Sequence, residues 1–495
     1  MDQVAIQPIR SLRFDQLEIL NEVTEAIDSG LRRLVVQAPT GYGKTIVASE
    51  LLRSYLDQDK RVLFVVPAIS LVNQSVEVFQ SQGLDDVGVM QAYHEMTDWR
   101  MPLQVASVQT LSRRTLPKAD IVLLDEIHWF HKFYGKWMLD IAWKDVPFIG
   151  LSATPWTKGL GAWFQKLIIA STTRELIDEG ILSEFQVFAP SHPDLRNVRS
   201  LGGDYREDDL ERAMDQRHLV ADIVETWLKL GGQRPTFCFC VNRSHAKHVQ
   251  EQFLASGVSC GYQDAYTKDT ERKLLKAAFH SGEVKVVCSV GTMIVGIDWD
   301  VRCIIWACPT KSEIKFVQGS GRGLRTANGK DYCLFLDHSD NHLRLGFVTD
   351  ILHENLNDGT KPVSAKTDNI RLPKECPQCH YLKPPKTLEC PSCGFKTKPV
   401  SDVVVEKGEL VPLSRQKKNG QGDLFQEPET YAGLLWWANY KGYQRGYAYH
   451  KFVEIFGHPP TGLNVTPSPP DMRLSKWIRS RQIAWAHSKR RTGSQ

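Results

Sequence analysis

The stretch V-V-Q-A-P-T-G-Y-G-K-T-I-V-A-S-E-L-L, Val35 to Leu52, constrains this chain more tightly than any other. A β-branched run breaks into a loop of small residues and resumes as a helix-forming segment. Gly43, Lys44 and Thr45 stand where the phosphate-loop pattern G-x-x-x-x-G-K-[ST] requires them, with Ala38 in place of the first glycine. Such a loop needs a strand to launch it and a helix N-terminus to face an anion, so it commits its surroundings to parallel α/β structure. Loop amides and the helix dipole favour negative charge there. Lys44 can reach the β- and γ-phosphates and Thr45 can hold Mg2+. Ala38, Pro39, Thr40, Gly41, Tyr42, Gly43, Lys44 and Thr45 are the expected nucleotide cradle. Taken alone, the stretch is also compatible with a plain strand–turn–helix junction.

A second stretch completes the pattern. D-I-V-L-L-D-E-I-H, Asp120 to His128, is an apolar strand ending in two adjacent acids. At a strand tip Asp125 can hold Mg2+, and Glu126 can orient or deprotonate an attacking water. Acidic pairs are common on surfaces. One placed at a strand end downstream of a phosphate loop points to hydrolysis of ATP with Mg2+.

Short Val- and Ile-rich runs alternate with helical patterns in two blocks, which suits parallel strands buried on both faces. The first block holds runs at 32–37, 61–67, 103–108, 120–127 and 148–155; the second at 235–241, 258–263, 283–290, 302–309 and 331–339. The joint falls near 157–185, around E-L-I-D-E-G-I-L-S-E-F. At 495 residues, 42% hydrophobic and 24% charged, the chain has the composition of a multidomain globular protein. No apolar run approaches the roughly 20 residues of a membrane helix. The N-terminus lacks a basic start followed by an apolar core, so the expected location is the cytoplasm.

The ordered motifs resemble those of superfamily 2 helicases and translocases of the DExH type. A-P-T-G-Y-G-K-T, D-E-I-H and S-A-T-P (Ser152 to Pro155) carry the resemblance, and in that family the phosphate loop often begins with Ala. R-F-D-Q is similar to the adenine-reading Q motif, through Gln16. V-P-A-I-S-L-V-N-Q, S-V-Q-T-L and F-C-V-N-R-S-H-A resemble motifs Ia, Ib and IV. G-T-M-I-V-G-I-D resembles motif V, through Gly296 and Asp298, although Met293, Ile294 and Val295 replace the small or polar residues of many relatives. Q-G-S-G-R-G-L-R resembles motif VI, through Gln318, Arg322 and Arg325, and the resemblance implies Gly296, Asp298 and Gln318 at the nucleotide. The resemblance spans residues 10–345. It implies an α/β fold of two tandem RecA-like parallel-sheet domains, 1–165 and 166–345, and an ATP-driven motor on nucleic acid; DNA is favoured over RNA as the partner, and the motifs do not fix the choice. It further implies that Arg322 or Arg325 meets the phosphates from the second domain; either is otherwise a surface or salt-bridged arginine. Ser152 and Thr154 would couple the two domains, and Thr110, Arg243 and Gly291 would touch the nucleic-acid backbone. H-W-F-H-K-F-Y-G-K-W either stacks bases or packs Trp129, Phe133 and Trp137 inward.

Eleven cysteines divide into seven single ones in apolar runs, read as buried reduced thiols, and two C-x-x-C pairs. Cys376, Cys379, Cys390 and Cys393 have zinc-ribbon spacing, expected at 373–397 between linkers at 346–372 and 398–430. All four positions are filled, so Zn2+ would be structural; His380 reads as a bystander. A DExH core followed by such a ribbon is similar to RadD-like bacterial DNA repair helicases and their phage relatives.

Residues 431–495 carry net charge +8 within a chain of +4, leaving −4 for the rest. Interleaved Trp, Tyr, Lys and Arg suit single strands, while the helical spacing of Tyr449, Phe452 and Phe456 suits a core. The expectation is a small helical accessory domain with a basic face. Three functions remain open: a helicase or translocase in repair, recombination or replication; an ATP-switched scaffold recruiting a repair or recombination protein; and the motor subunit of a restriction-type system. No membrane association is expected, and nothing implies more than a monomer.

Overall fold

Seven strands build the first sheet of the computed structural model, which describes residues 12–91, 94–291, 299–360, 372–385, 387–396, 425–444 and 446–492, the last ten as backbone only. They are β1 (Arg33–Gln37), β2 (Val62–Val66), β3 (Val87–Met90), β4 (Leu103–Ser107), β5 (Ile121–Leu124), β6 (Phe148–Ser152) and β7 (Lys166–Ile169). All pairings are parallel, in the order β3-β4-β2-β5-β6-β1-β7. Residues of β2 to β6 are buried throughout, as strands covered on both faces must be. Because β1, β5 and β6 lie side by side and parallel, the phosphate loop, Asp125-Glu126 and Ser152–Thr154 all leave the sheet at one carboxyl edge. Open α/β sheets bind ligands at that edge. β3 and β7, four residues each, fall outside the expected runs. β7 pairs with β1, so the first sheet continues past the boundary expected at residue 165.

The second sheet contains β8 (Glu184–Phe188) and, after the small hairpin β9 (Ser200–Leu201) and β10 (Asp204–Tyr205), five further strands. These are β11 (Thr236–Cys240), β12 (Cys260–Gln263), β13 (Val286–Ser289), β14 (Cys303–Ala307) and β15 (Tyr332–Asp337). The order is β12-β13-β11-β14-β15-β8, again parallel. The joint between lobes is itself structured: a capping box of Thr172 and Glu175 starts the Thr173–Asp178 helix, and β8 follows within it. All seven single cysteines are buried in this second lobe. Burial among apolar neighbours raises the Cys303 thiol pKa and lifts Cys333 to about 12, which keeps both protonated.

β16 (Lys374–Glu375) and β17 (Leu382–Lys383) form the cysteine-rich hairpin. It sits on the edge strand of the second sheet. Phe188 bridges Tyr381, and the Ala189 N–H donates to the His380 carbonyl at 3.0 Å. The described residues from 425 onward belong to a separate compact unit. Its helices, Glu427–Tyr440, Gly446–Phe456 and Met472–Thr492, bury Leu434, Trp437, Phe452, Ile455, Leu474 and Ile478. Phe452 is core as its spacing predicts, whereas Tyr449 is 44% exposed, on the outer face. Among the described residues no helix is long and apolar enough to cross a membrane.

Candidate active site: a cleft lined by two lobes

The phosphate loop takes the shape its sequence allows. Gly41 and Gly43 have φ of 90° and 97°, the left-handed region where glycine is favoured. A Cβ at Gly43 would stand 2.7 Å from Gln16 Nε2, and one at Gly41 2.7 Å from Leu182. Gln16 Nε2 and Arg13 Nη2 each donate to the Tyr42 carbonyl at 3.0 Å, so the Q-motif segment braces the loop from outside. The Tyr42 ring turns inward and is buried. Ala38 is buried too; its N–H donates to the Ser152 carbonyl at 3.0 Å. The first loop position thus continues the sheet, where a methyl group is accommodated.

Lys44 opens the Lys44–Leu56 helix and folds back over the loop, donating to the Ala38 carbonyl at 3.0 Å. Burial lowers its pKa, with Glu126 and Asp125 opposing that shift. Across from it, the Glu126 N–H donates to Asp125 Oδ1 at 3.0 Å, and Glu126 holds a strained φ of 47°. Burial, then the neighbouring Glu126 charge, raises the Asp125 pKa to about 7. Burial pushes Glu126 the same way, but His128 and Lys44 outweigh it and hold Glu126 at about 2. Glu126 Oε2 lies 3.3 Å from His128 Nδ1 and makes no hydrogen bond among the described residues. Two adjacent, half-buried carboxylates share one cavity with Thr45, a donor set short of a cation. Thr45 and Asp125 fit Mg2+, with the orphaned Glu126 oxygen left over for water.

The second lobe closes the site. The Glu313–Gly323 helix ends at the cleft, and Gly321 comes so near the loop that a Cβ would stand 3.0 Å from Thr40. Arg322 and Arg325 then line the same cavity, of about 390 Å³, as Thr40, Gly41, Gly43, Lys44, Thr45, Asp125 and Glu126. Leu71, Gln74, Ser75 and Val78 form another wall. Leu71 and Gln74 belong to the stretch that resembles motif Ia, and Ser75 and Val78 follow it; their helical spacing is the signal for a shared face. Gln318, expected at the nucleotide, lies instead between the lobes. Its Nε2 donates to Thr154 Oγ1 at 3.0 Å and sits 3.2 Å from His128 Nε2, while His128 Nδ1 is 3.0 Å from Ser152 Oγ. The acids, the loop after β6 and the arginine helix are therefore joined by one buried network. Gly296 and Asp298 lie outside the described residues.

The remaining candidates are dispersed. Thr110 shares a shallow cavity with Ile69, Arg113 and Arg114. Arg243 pairs with Asp264 at 2.8 Å and lies over the Tyr266 ring, 5.1 Å from its centroid. Gly291 is left-handed, with φ of 66°. Of the aromatic strip, Trp137 is core, Phe133 packs against it and Trp129 is 58% exposed. The four ribbon sulfurs lie within 4.8 Å of one another, with Cys376–Cys393 and Cys379–Cys390 at 3.7 Å. Both knuckles close alike: His380 N–H donates to the Cys376 carbonyl and Gly394 N–H to the Cys390 carbonyl, each at 2.9 Å. His380 and Gly394 have φ of 60° and 72°. His380 is thus the turn residue of its knuckle, held by Glu375 Oε1 2.6 Å from its Nδ1.

Two family models match the chain: the type III restriction enzyme res subunit over residues 10–157 and the helicase conserved C-terminal domain over residues 218–327. Together they take in just over half of it. The chain belongs to the superfamily 2 helicases. Their shared chemistry is ATP hydrolysis coupled to unwinding of, or movement along, nucleic acid. Among proteins similar to this helicase, a 51.5 kDa protein of a Lactococcus phage is 26% identical over 377 residues, 73% of this chain and 77% of that one. Saccharomyces cerevisiae IRC3, assigned as an ATP-dependent helicase, is 27% identical over 356 residues, 66% of this chain and 51% of that one. A solved fragment assigned as the HsdR subunit of a type I restriction enzyme from Vibrio vulnificus YJ016 shares the fold. Its TM-score is 0.53 at 17% identity, over 68% of this chain and 65% of that one. The helicase therefore spans about half of the yeast relative's length.

Proposed function

We propose that this helicase is a DNA-directed motor whose ATPase site is assembled from both lobes. The observation that carries the reading is the single cavity shared by Lys44, Thr45, Asp125 and Glu126 of one lobe and Arg322 and Arg325 of the other. Lys44 and the loop amides bind the phosphates, with Thr45 and Asp125 as the Mg2+ ligands. Bound Mg2+ would neutralise charge on the β- and γ-phosphate oxygens. Glu126 Oε2 orients the attacking water and accepts its proton. Arg322 and Arg325 stabilise charge on the transferring phosphoryl group, and their withdrawal loosens the product state. Gln318, Thr154 and His128 transmit that change between lobes. Thr110, Arg243 and Gly291 contact the strand, mostly through its phosphates. The match to restriction-enzyme motors supports DNA over RNA.

The ribbon cysteines fit Zn2+. Few apolar side chains are buried between residues 372 and 396, so metal would supply the folding energy, about 10–16 kcal/mol for structural zinc. Elemental analysis of the purified chain is expected to find one zinc per chain, and none after Cys379→Ser with Cys393→Ser. Zinc retained by the double variant would refute this ligand set.

The C-terminal unit engages the substrate. Tyr440 is 53% exposed and stacks parallel on Trp436, with ring centroids 5.1 Å apart, and Lys441 lies over the Tyr440 ring. Such rings stack on bases while the +8 charge meets phosphates. Truncation after Gln426 is expected to weaken single-stranded DNA binding about tenfold near 0.1 M salt and to flatten its salt dependence. Unchanged binding, with loss of a protein partner in pull-downs, would favour the scaffold function instead. The res-subunit match favours a second reading, a restriction-type motor that relies on another chain for cleavage. It predicts translocation without strand separation or cutting by the purified chain.

A further inference from the structure

The chain leaving the second lobe returns to the first. Phe347 packs on Phe185 of β8. His353 then stands between two elements of the motor. Its Nε2 lies 2.6 Å from Glu313 Oε2, at the first turn of the helix that carries Gln318 and Arg322. Its ring lies against Trp156, with centroids 4.4 Å apart. The Trp156 indole N–H donates to Gln37 Oε1 at 3.3 Å, and Gln37 is the residue before the phosphate loop. Three residues beyond His353, Leu356 packs into the first-lobe core. The Asn357 carbonyl accepts the Gly161 N–H at 2.7 Å, and its side chain accepts the Gly159 N–H at 3.4 Å.

We propose that residues 347–357 form an interlobe strap, in which His353 is the positioning residue that sets the Arg322–Arg325 end of the helix against the phosphate loop. The buried Gln318–Thr154–His128 network is an inner bridge between the loop after β6 and the Glu313–Gly323 helix. Through Trp156 and Glu313 the strap joins the same two elements at a second point. One bridge leaves the helix a pivot, and two restrain its rotation. Without the strap the competent arrangement becomes a smaller fraction of the ensemble, and the apparent affinity for ATP falls by that fraction. Once ATP and DNA are saturating, their own contacts to both lobes restore the arrangement. The strap therefore acts on KM and leaves kcat.

Two variants attack opposite ends in the full-length chain. His353→Ala removes the bridge itself. Gly161→Ala wedges the strap from outside, since a Cβ there would stand 3.0 Å from the Leu356 carbonyl oxygen. Both are expected to raise KM for ATP about tenfold while kcat at saturating ATP and DNA stays within about twofold. His353→Gln, which keeps a donor toward Glu313, is expected to recover most of the loss. Pairs of spin labels, one on each lobe, are expected to show a broader interlobe distance distribution in both alanine variants without nucleotide. That readout does not depend on the ATPase assignment, so failure of the strap and failure of the site assignment are distinguishable. Folded variants with wild-type KM and an unchanged distance distribution would overturn the proposal, as would a fall in kcat at constant KM. If His353→Ala does not fold, Gly161→Ala decides alone.

Discussion

Glu126→Gln is expected to bind ATP normally and to hydrolyse it about 10²–10⁴-fold more slowly, the usual range for loss of a general base. The amide matches the carboxylate in shape, so the strained turn after β5 and the 3.3 Å approach of His128 can persist. What is lost is an oxygen held unprotonated: Glu126 is kept at about 2 although burial pulls it upward. Asp125, raised by burial and then by the Glu126 charge, is the acid whose charge a bound cation would offset. The two acids differ because His128 and Lys44 together outweigh burial at Glu126, whereas Lys44 and the Glu126 N–H do not outweigh it at Asp125. Lys44→Ala is expected to differ from Glu126→Gln by weakening ATP binding as well. Single-turnover hydrolysis and equilibrium binding of a fluorescent ATP analogue separate the two. Hydrolysis by Glu126→Gln within tenfold of wild type would remove Glu126 from its role.

Arg322→Ala and Arg325→Ala carry the second large expectation. An arginine that meets the phosphoryl group at its transition state contributes about 10³–10⁵ in rate, so at least one of the two should fall by that factor. Lysine should not rescue it, because a point charge does not reproduce the planar fork. Both side chains line the cavity, and Arg322 also lowers the pKa of Glu126. ATP binding measured alongside kcat tells the roles apart. A finger loses kcat, whereas a residue that merely packs the helix on Thr40 loses stability. Near-normal kcat in both variants would mean that the second lobe supplies no charge to the reaction.

Much of this site was legible because its parts are local in sequence. A-P-T-G-Y-G-K-T and D-E-I-H each place several groups within one turn, and strand periodicity puts their strands in one sheet. The cysteine pairs were equally local. What escaped was set by packing over long separations. Gln318 reads as a nucleotide ligand in its motif, but its partners, Thr154 and His128, are 164 and 190 residues away. Gln74 and Ser75 reach the cavity because the Val72–Ser81 helix packs beside the loop. β3, β7 and β8 are edge or near-edge strands of four or five residues, too short for a periodic signal. His380 looked idle because nothing in a sequence shows that a histidine takes the left-handed turn that Gly394 takes in the other knuckle. His353 sits in a polar stretch that reads as linker, and its significance appears only through Trp156 and Glu313.

The most direct measurement is steady-state ATP hydrolysis by the full-length chain with single-stranded, double-stranded and forked DNA and with RNA, repeated across salt concentrations. The account predicts that DNA stimulates hydrolysis more than RNA does, that stimulation falls as salt rises, and that Glu126→Gln and the deleterious arginine variant abolish it on every substrate. Hydrolysis indifferent to every nucleic acid, or surviving intact in those variants, would contradict it.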